Sequence, residues 1–275
     1  MAGESRLSPG DAAGEDHVAE QILVTGGSGQ LGRVVVERLR AAEVPVRALS
    51  RRRRSGEGVR WTAGDLRTGR GIDVAVAGAG TVIHCATDYR REVETVRTLV
   101  EAARWSGQTP HLVYVSIVGV DKIPLGYYQA KLAAEQLIAG SGMPYTILRA
   151  TQFHSLVRTI LAGAARLPAV PVPKFRFQPV DVRDVAARLV ELARGEPRER
   201  VSDFGGPEVR TTAELARALL AASGKARRLV SVPAPGRVAR GYAAGANLAP
   251  EHPDGVVTFE QYLAERGKPA ALRYR

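Results

Sequence analysis

Tyr127 and Lys131 stand four residues apart in YYQAKLAAEQLIAG, so in a helix both side chains fall on one face. A phenol beside an ammonium can move a proton. The free phenol ionises near about pH 10, and a neighbouring positive charge lowers that value by favouring the phenolate. Reduction of a carbonyl needs such a proton, delivered to oxygen as hydride reaches carbon. Ser116 closes the apolar run HLVYVS just before the pair and completes a catalytic set of Ser116, Tyr127 and Lys131. Tyr128 offers a second phenol, but its fourth successor is Leu132, which carries no charge.

A second group of residues suits a phosphate-bearing ligand. Gly26, Gly27, Ser28, Gly29, Gln30, Leu31 and Gly32 follow the apolar run QILVT and open a helical pattern. Glycine lets the backbone turn sharply and approach a pyrophosphate, and the first N–H groups of the helix favour negative charge. The next apolar run ends in Ala48-Leu49-Ser50-Arg51, with no acid to hold the ribose hydroxyls of NAD. Ser50 can donate a hydrogen bond and Arg51 can pair with a 2′-phosphate, so the expected cofactor is NADP(H). Arg53 and Arg54 are expected to lie in solvent.

These residues need a scaffold that brings strand ends and helix starts together. From residue 21 onward short apolar runs alternate with amphipathic segments, the pattern of βαβ units. QILVTGG, PVRALS, VRWTAGD, TVIHCATD, HLVYVSIVG and PYTILRATQ read as strands. LGRVVVERLRAAEV, VETVRTLVEAARWSG and YYQAKLAAEQLIAGSG read as crossover helices. The fold class is α/β, a Rossmann-type doubly wound parallel sheet. After about residue 150 the pattern loosens, and the stretch LPAVPVPKFRFQPVDVRDVAARLVELARG carries prolines that interrupt any long helix. A small lobe interleaved with the sheet is expected, including the helices TAELARALLAASG and FEQYLAERG.

Composition bounds the partners. The chain has 275 residues, 45% hydrophobic, and a net charge of +11 carried by 34 Arg and five Lys. The basic residues are scattered apart from Arg51 to Arg54, and no nucleic-acid-binding motif accompanies them, so nucleic acid is not an expected partner. One cysteine excludes an internal disulfide, and no apolar run is long enough to span a bilayer. A cytoplasmic monomer or homodimer acting on a small molecule, with no metal, fits these facts. Residues 1–19 read as a disordered leader, 20–155 as the NADP-binding core, and 156–275 as the rest of the sheet plus the lobe.

With TGGSGQLGR, YYQAKLAAEQLI, PYTILRATQFH, FQPVDVRDVA and FGGPEVRTTAELA in place, the chain resembles the short-chain dehydrogenase superfamily. The nearest branch is the atypical one of NmrA-like and NAD(P)H-binding proteins. That resemblance implies that Lys131 bonds the nicotinamide ribose and that Ser116 orients the substrate oxygen. It also implies that Asp65 and Leu66 flank the adenine, and that Cys85, Ala86 and Thr87, after His84, make room beside the dinucleotide. By the same resemblance Arg149, Ala150, Thr151 and Gln152 pass near the nicotinamide, while Tyr128, Phe153 and His154 face the substrate. Asp181 and Asp184 are expected to hold the lobe. Many members of this branch lack the tyrosine, which leaves two functions open. One is an NADP(H)-dependent oxidoreductase for a small carbonyl, alcohol or quinone-like molecule. The other is a non-catalytic redox sensor acting through a protein partner.

Overall fold

The computed structural model describes residues 21–107 and 109–265. The expected leader, residues 1–19, lies outside them. In chain order come β1 (Gln21–Thr25), α1 (Gln30–Ala41), β2 (Val46–Ser50), β3 (Arg60–Ala63), α2 (Ile72–Val76) and β4 (Ala79–His84). Next are α3 (Glu92–Trp105), β5 (His111–Ile117), α4 (Gly126–Ala139), β6 (Tyr145–Ala150) and α5 (His154–Ala164). They are followed by β7 (Ala169–Pro173), β8 (Arg176–Phe177), α6 (Val182–Ala193), β9 (Glu199–Arg200) and β10 (Arg210–Thr211). The chain closes with α7 (Thr212–Ala222), β11 (Arg228–Val232), α8 (Arg237–Ala243) and α9 (Phe259–Glu265).

The main sheet has the order β3-β2-β1-β4-β5-β6-β9, and its neighbours pair in parallel. The first three strands move outward from β1, and β4 then returns to the other side of it. The order therefore reverses between β1 and β4, with Thr25 beside His84 at the carboxyl ends. A crevice at such a reversal is where open α/β sheets take ligands.

Both faces of the sheet are covered, which explains why its strands are continuously apolar. On one face Val35, Val36 and Leu39 of α1 pack with Val185, Ala186 and Leu189 of α6 over Val24, Ile83 and Val113. On the other, α2, α3 and α4 bury Ala75, Val96, Leu99, Ala134 and Ile138 against Leu23, Val82 and Tyr114. Each fully buried Leu or Val contributes about 1.5 to 3 kcal/mol of transfer free energy.

The lobe is interleaved with the sheet. After β6 the chain leaves for α5, β7 and β8, returns to lay down α6 and β9, and leaves again. Its own core joins Val157 and Leu161 of α5 to Leu215 and Leu219 of α7 and Phe259 and Leu263 of α9. Buried Gln178 clasps the junction: its Nε2 donates to the Gly206 and Ala249 carbonyls at 2.9 and 3.1 Å, and its Oε1 accepts from Ala249 N at 2.8 Å. Asp184 holds the C-terminal segment through Val256 N and Val257 N, at 2.9 and 3.1 Å.

The proline-rich stretch departs from the sequence expectation. Pro171 and Pro173 lie on β7, which among the described residues pairs only with β11, an edge position where a missing N–H costs little. Directly after it α6 runs for twelve residues, started by Asp181, whose Oδ1 accepts from Arg183 N at 2.8 Å. Among the described residues no helix is long and apolar enough to cross a membrane.

Candidate active site

β1 runs directly into the glycine loop at the sheet reversal. Gly26 adopts a left-handed φ of 63°, and a Cβ there would lie 2.7 Å from the Ala86 Cα. At Gly32 a Cβ would come within 2.2 Å of the Gly26 carbonyl oxygen. Only glycine lets α1 begin this close to the end of β4. Gly27 N donates to the Leu49 carbonyl at 3.2 Å and ties the loop to β2. Ser28 and Gly29 are exposed. Gly29 is the N-cap of α1, with no side-chain cap and no acid in the first turn. Free N–H groups and the positive end of the helix thus face the crevice. Leu31 packs into the core below, and Gln30 Oε1 accepts from Ser155 Oγ at 2.9 Å, linking the loop to α5.

Gly29→Val tests the loop. Gly29 has an ordinary φ of −79°, and its Cβ would meet only the Gly26 oxygen, at 3.1 Å. The variant should keep its circular-dichroism spectrum and lose nucleotide binding in calorimetry, because the valine fills space that a pyrophosphate needs. Tight binding by a folded variant would mean that this glycine serves the turn alone.

At the outer end of the crevice Ser50 is buried and its Oγ accepts from Arg52 N at 3.4 Å. Arg51 to Arg54 are all exposed, and Arg54 lies 5.7 Å from the Trp61 ring centroid. Asp65 Oδ1 accepts from Arg67 N at 3.0 Å, so one carboxylate oxygen closes a local turn. Leu66 is buried in the core.

The inner end holds a buried polar cluster. Lys131, 2% exposed, places Nζ 2.8 Å from Glu92 Oε1 and donates to the Val115 carbonyl at 3.1 Å. The same Nζ stands 4.5 Å from the Tyr114 ring centroid. Glu92 also accepts from Tyr114 OH at 2.8 Å and from Asp88 N at 2.9 Å. Burial opposes the charge on Lys131, but Tyr114, Glu92 and Tyr127 together raise its pKa. His84 bonds Thr25 Oγ1 through Nδ1 at 2.8 Å, and burial drives its pKa down to about 4. It stays neutral at physiological pH. Burial pushes the Cys85 thiol up to about 12, which keeps it an inert thiol.

Tyr127 OH lies 3.3 Å from Thr87 Oγ1, and its ring packs 4.4 Å from that of Tyr89. The expected lowering of its pKa does not occur. Burial raises it, and the carboxylate of Glu92 offsets the help from Lys131, so the phenol ionises above its ordinary value. Ser116, 3% exposed, has an Oγ with no hydrogen-bond partner among the described residues. It follows Val115, the residue whose carbonyl holds Lys131. Glu92 was not legible as part of this site, since an acid in the first turn of a helix is ordinary.

The family model described as NAD(P)H-binding matches residues 26–195. The chain belongs to the NAD(P)H-binding family. Among its relatives is an NAD(P)H azoreductase of Xenophilus azovorans, 29% identical over 220 residues, 77% of each chain. Another is a (4-alkanoyl-5-oxo-2,5-dihydrofuran-3-yl)methyl phosphate reductase of Streptomyces griseus, 32% identical over 72% of this chain and 73% of the relative. The fold is also that of an NADPH-dependent quinone oxidoreductase of Escherichia coli solved with NADPH: the TM-score is 0.77 at 19% identity, covering 89% of this chain and 99% of that one.

For a member of the NAD(P)H-binding family the residues present fit the cofactor. The uncapped start of α1 suits the pyrophosphate, and the exposed arginines after β2 suit an added phosphate. The unpartnered Ser116 hydroxyl suits a polar group entering at the inner end. Four other expectations meet side chains that are already engaged. Thr151 Oγ1 donates to the Gln178 carbonyl at 2.5 Å and accepts from Gly206 N. Tyr128 is buried with its OH 3.1 Å from Tyr242 OH. His154 is 1% exposed, bonded through Nε2 to the Val257 carbonyl at 2.9 Å and ringed by Phe259 and Tyr262. Arg149 makes two bonds to Glu135. These contacts hold the lobe and α4 in place. Phe153, half-buried, caps α5 and pairs with Val180.

Proposed function

We propose that this protein is an NADP(H)-dependent reductase whose acceptor is a small carbonyl or quinone-like molecule. The single observation that carries it is the placement of the Tyr127 hydroxyl 3.3 Å from Thr87 Oγ1, on the helix that also carries the buried Lys131. A proton donor must hold its proton at working pH, and a base must have lost it. Burial and Glu92 both raise the pKa of Tyr127, so it holds its proton at neutral pH and can give it to an acceptor. The named azo and furanone reductases among its relatives support reduction as the direction.

In this proposal Gly26 to Gly32 hold the pyrophosphate, with Ser28, Gly29 and Gln30 at the surface of the loop. Ser50 and Arg51 take the 2′-phosphate, Asp65 and Leu66 border the adenine, and Cys85, Ala86 and Thr87 line the path inward. Lys131 meets the ribose, Ser116 orients the acceptor oxygen, and Tyr127 supplies the proton. The bound cofactor supplies hydride chemistry. Phe153 is the remaining candidate for the acceptor wall. Tyr128, Thr151 and His154 act indirectly, by fixing the backbone around it.

Purified protein should consume NADPH, followed by the absorbance of the reduced nicotinamide, with at least one member of a carbonyl, azo and quinone panel. Tight NADPH binding with no consumption across the panel would make the protein a redox sensor instead. The cofactor choice has its own test. NADPH should bind at least about ten-fold more tightly than NADH, since a charge-assisted contact to Arg51 contributes about 1.5 to 3 kcal/mol. Arg51→Asp should reverse or erase the difference in calorimetry, and equal affinities in the wild type would end the assignment.

A further inference from the structure

We propose that Glu92 is a positioning residue of the site, whose buried carboxylate fixes the Lys131 ammonium against Val115 and locks it to the segment that follows β4. The proposal rests on the reading that Lys131 meets the bound nucleotide. Glu92 is 1% exposed and uses both oxygens. Its Oε1 takes Lys131 Nζ at 2.8 Å and Tyr114 OH at 2.8 Å. Its Oε2 takes Asp88 N at 2.9 Å. Asp88 directly follows Thr87, the partner of Tyr127. One carboxylate therefore sets the position of Lys131 and of the loop that Tyr127 leans on.

The lysine is constrained from its other side as well. An ammonium has three N–H donors, and Glu92 and the Val115 carbonyl use two of them. What remains has little freedom of aim. A buried ion pair adds little stability over two well-packed apolar side chains. Stability alone therefore does not account for the pair between α3 and α4, and a fixed charge at this place does.

Charge control follows from the same contact. Lys131 faces Glu92 from α3, Tyr114 from β5, His84 at the end of β4, Cys85 just after it, and Tyr127 from its own helix. Glu92 supports the ammonium against burial, so its loss shifts the lysine pKa downward. The other neighbours are silent between about pH 7 and about pH 9: His84 is held neutral with a pKa of about 4, Cys85 is raised to about 12, and both tyrosines are raised. A phosphate monoester's second ionisation, near about pH 6, is also complete in that window.

The test is the pH dependence of NADPH binding, measured by calorimetry on the full chain. Wild type should bind with a constant Kd across the window. Glu92→Gln should bind several-fold more weakly at the lower end and lose about a further tenfold toward the upper end, as Lys131 gives up its proton. Glu92→Asp retains the charge and should stay flat with pH while losing affinity through its shorter reach. A uniform loss in Glu92→Gln at every pH would reduce Glu92 to a structural role and overturn the proposal, as would a wild-type Kd. Should Glu92→Gln fail to fold by circular dichroism, Glu92→Asp decides alone: wild-type affinity there overturns it. Failure of the wild type to bind NADPH would instead defeat the cofactor reading itself.

Discussion

Tyr127→Phe should lower kcat by about 10² to 10⁴ while leaving the NADPH Kd near the wild-type value. The hydroxyl it removes has one partner near its surface, Thr87 Oγ1 at 3.3 Å, while the ring keeps its contact with Tyr89. Folding should therefore change by no more than about 1 kcal/mol. The loss falls on kcat because the proton is needed only as the acceptor oxygen gains charge. Stopped-flow traces with the best acceptor, beside a binding isotherm, separate the two quantities. An active wild type that loses nothing in Tyr127→Phe would place the donor elsewhere, with water as the leading alternative. Tyr128 is engaged with Tyr242, and His154 is buried under α9. Lys131→Met behaves differently, because it strands Glu92 as a buried charge without its cation. The paired variant Glu92→Gln with Lys131→Met removes both charges, so it should fold while losing affinity and turnover together.

The loop and the Tyr127–Lys131 pair were legible because their meaning is local. Glycine at 26, 29 and 32 between a strand and a helix implies a tight turn in any fold, and a four-residue spacing implies one helix face. The parallel sheet was legible for a related reason, since strands covered on both faces must be continuously apolar. Glu92 was not, because its meaning depends on α3 and α4 packing side by side on the same face of the sheet. That arrangement turns a helix-start acid into the partner of Lys131, and it adds to the burial that raises the pKa of Tyr127. His154 was misplaced for a similar reason. Its position just after β6 lies close to the crevice in sequence, but Phe259 and Tyr262, about a hundred residues later, close over its ring. The twelve-residue α6 was obscured by the prolines before it, of which Pro171 and Pro173 lie on an edge strand, and all of which end before Asp181 caps the helix.

Glu135→Ala should cost about 3 to 5 kcal/mol of unfolding free energy. Arg149 lies on β6 with its side chain 8% exposed. Its Nε and Nη2 donate to the two oxygens of Glu135 at 2.9 and 2.6 Å. Truncating Glu135 leaves only Asp121, 3.2 Å from Nη1 and 42% exposed, to face a buried guanidinium. Water screens that contact, so it can replace little of the lost pairing. Urea unfolding measures the loss, and a drop below about 1 kcal/mol would show that the strand relaxes enough to hydrate Arg149. The double change Glu135→Leu with Arg149→Met should recover most of the stability, since an apolar pair of similar volume needs no partner. Because Arg149 is spent on α4, the native fraction of Glu135→Ala should bind NADPH as wild type does. A selective loss of affinity would instead return Arg149 to the nicotinamide end of the crevice, where the resemblance to short-chain dehydrogenases had placed it.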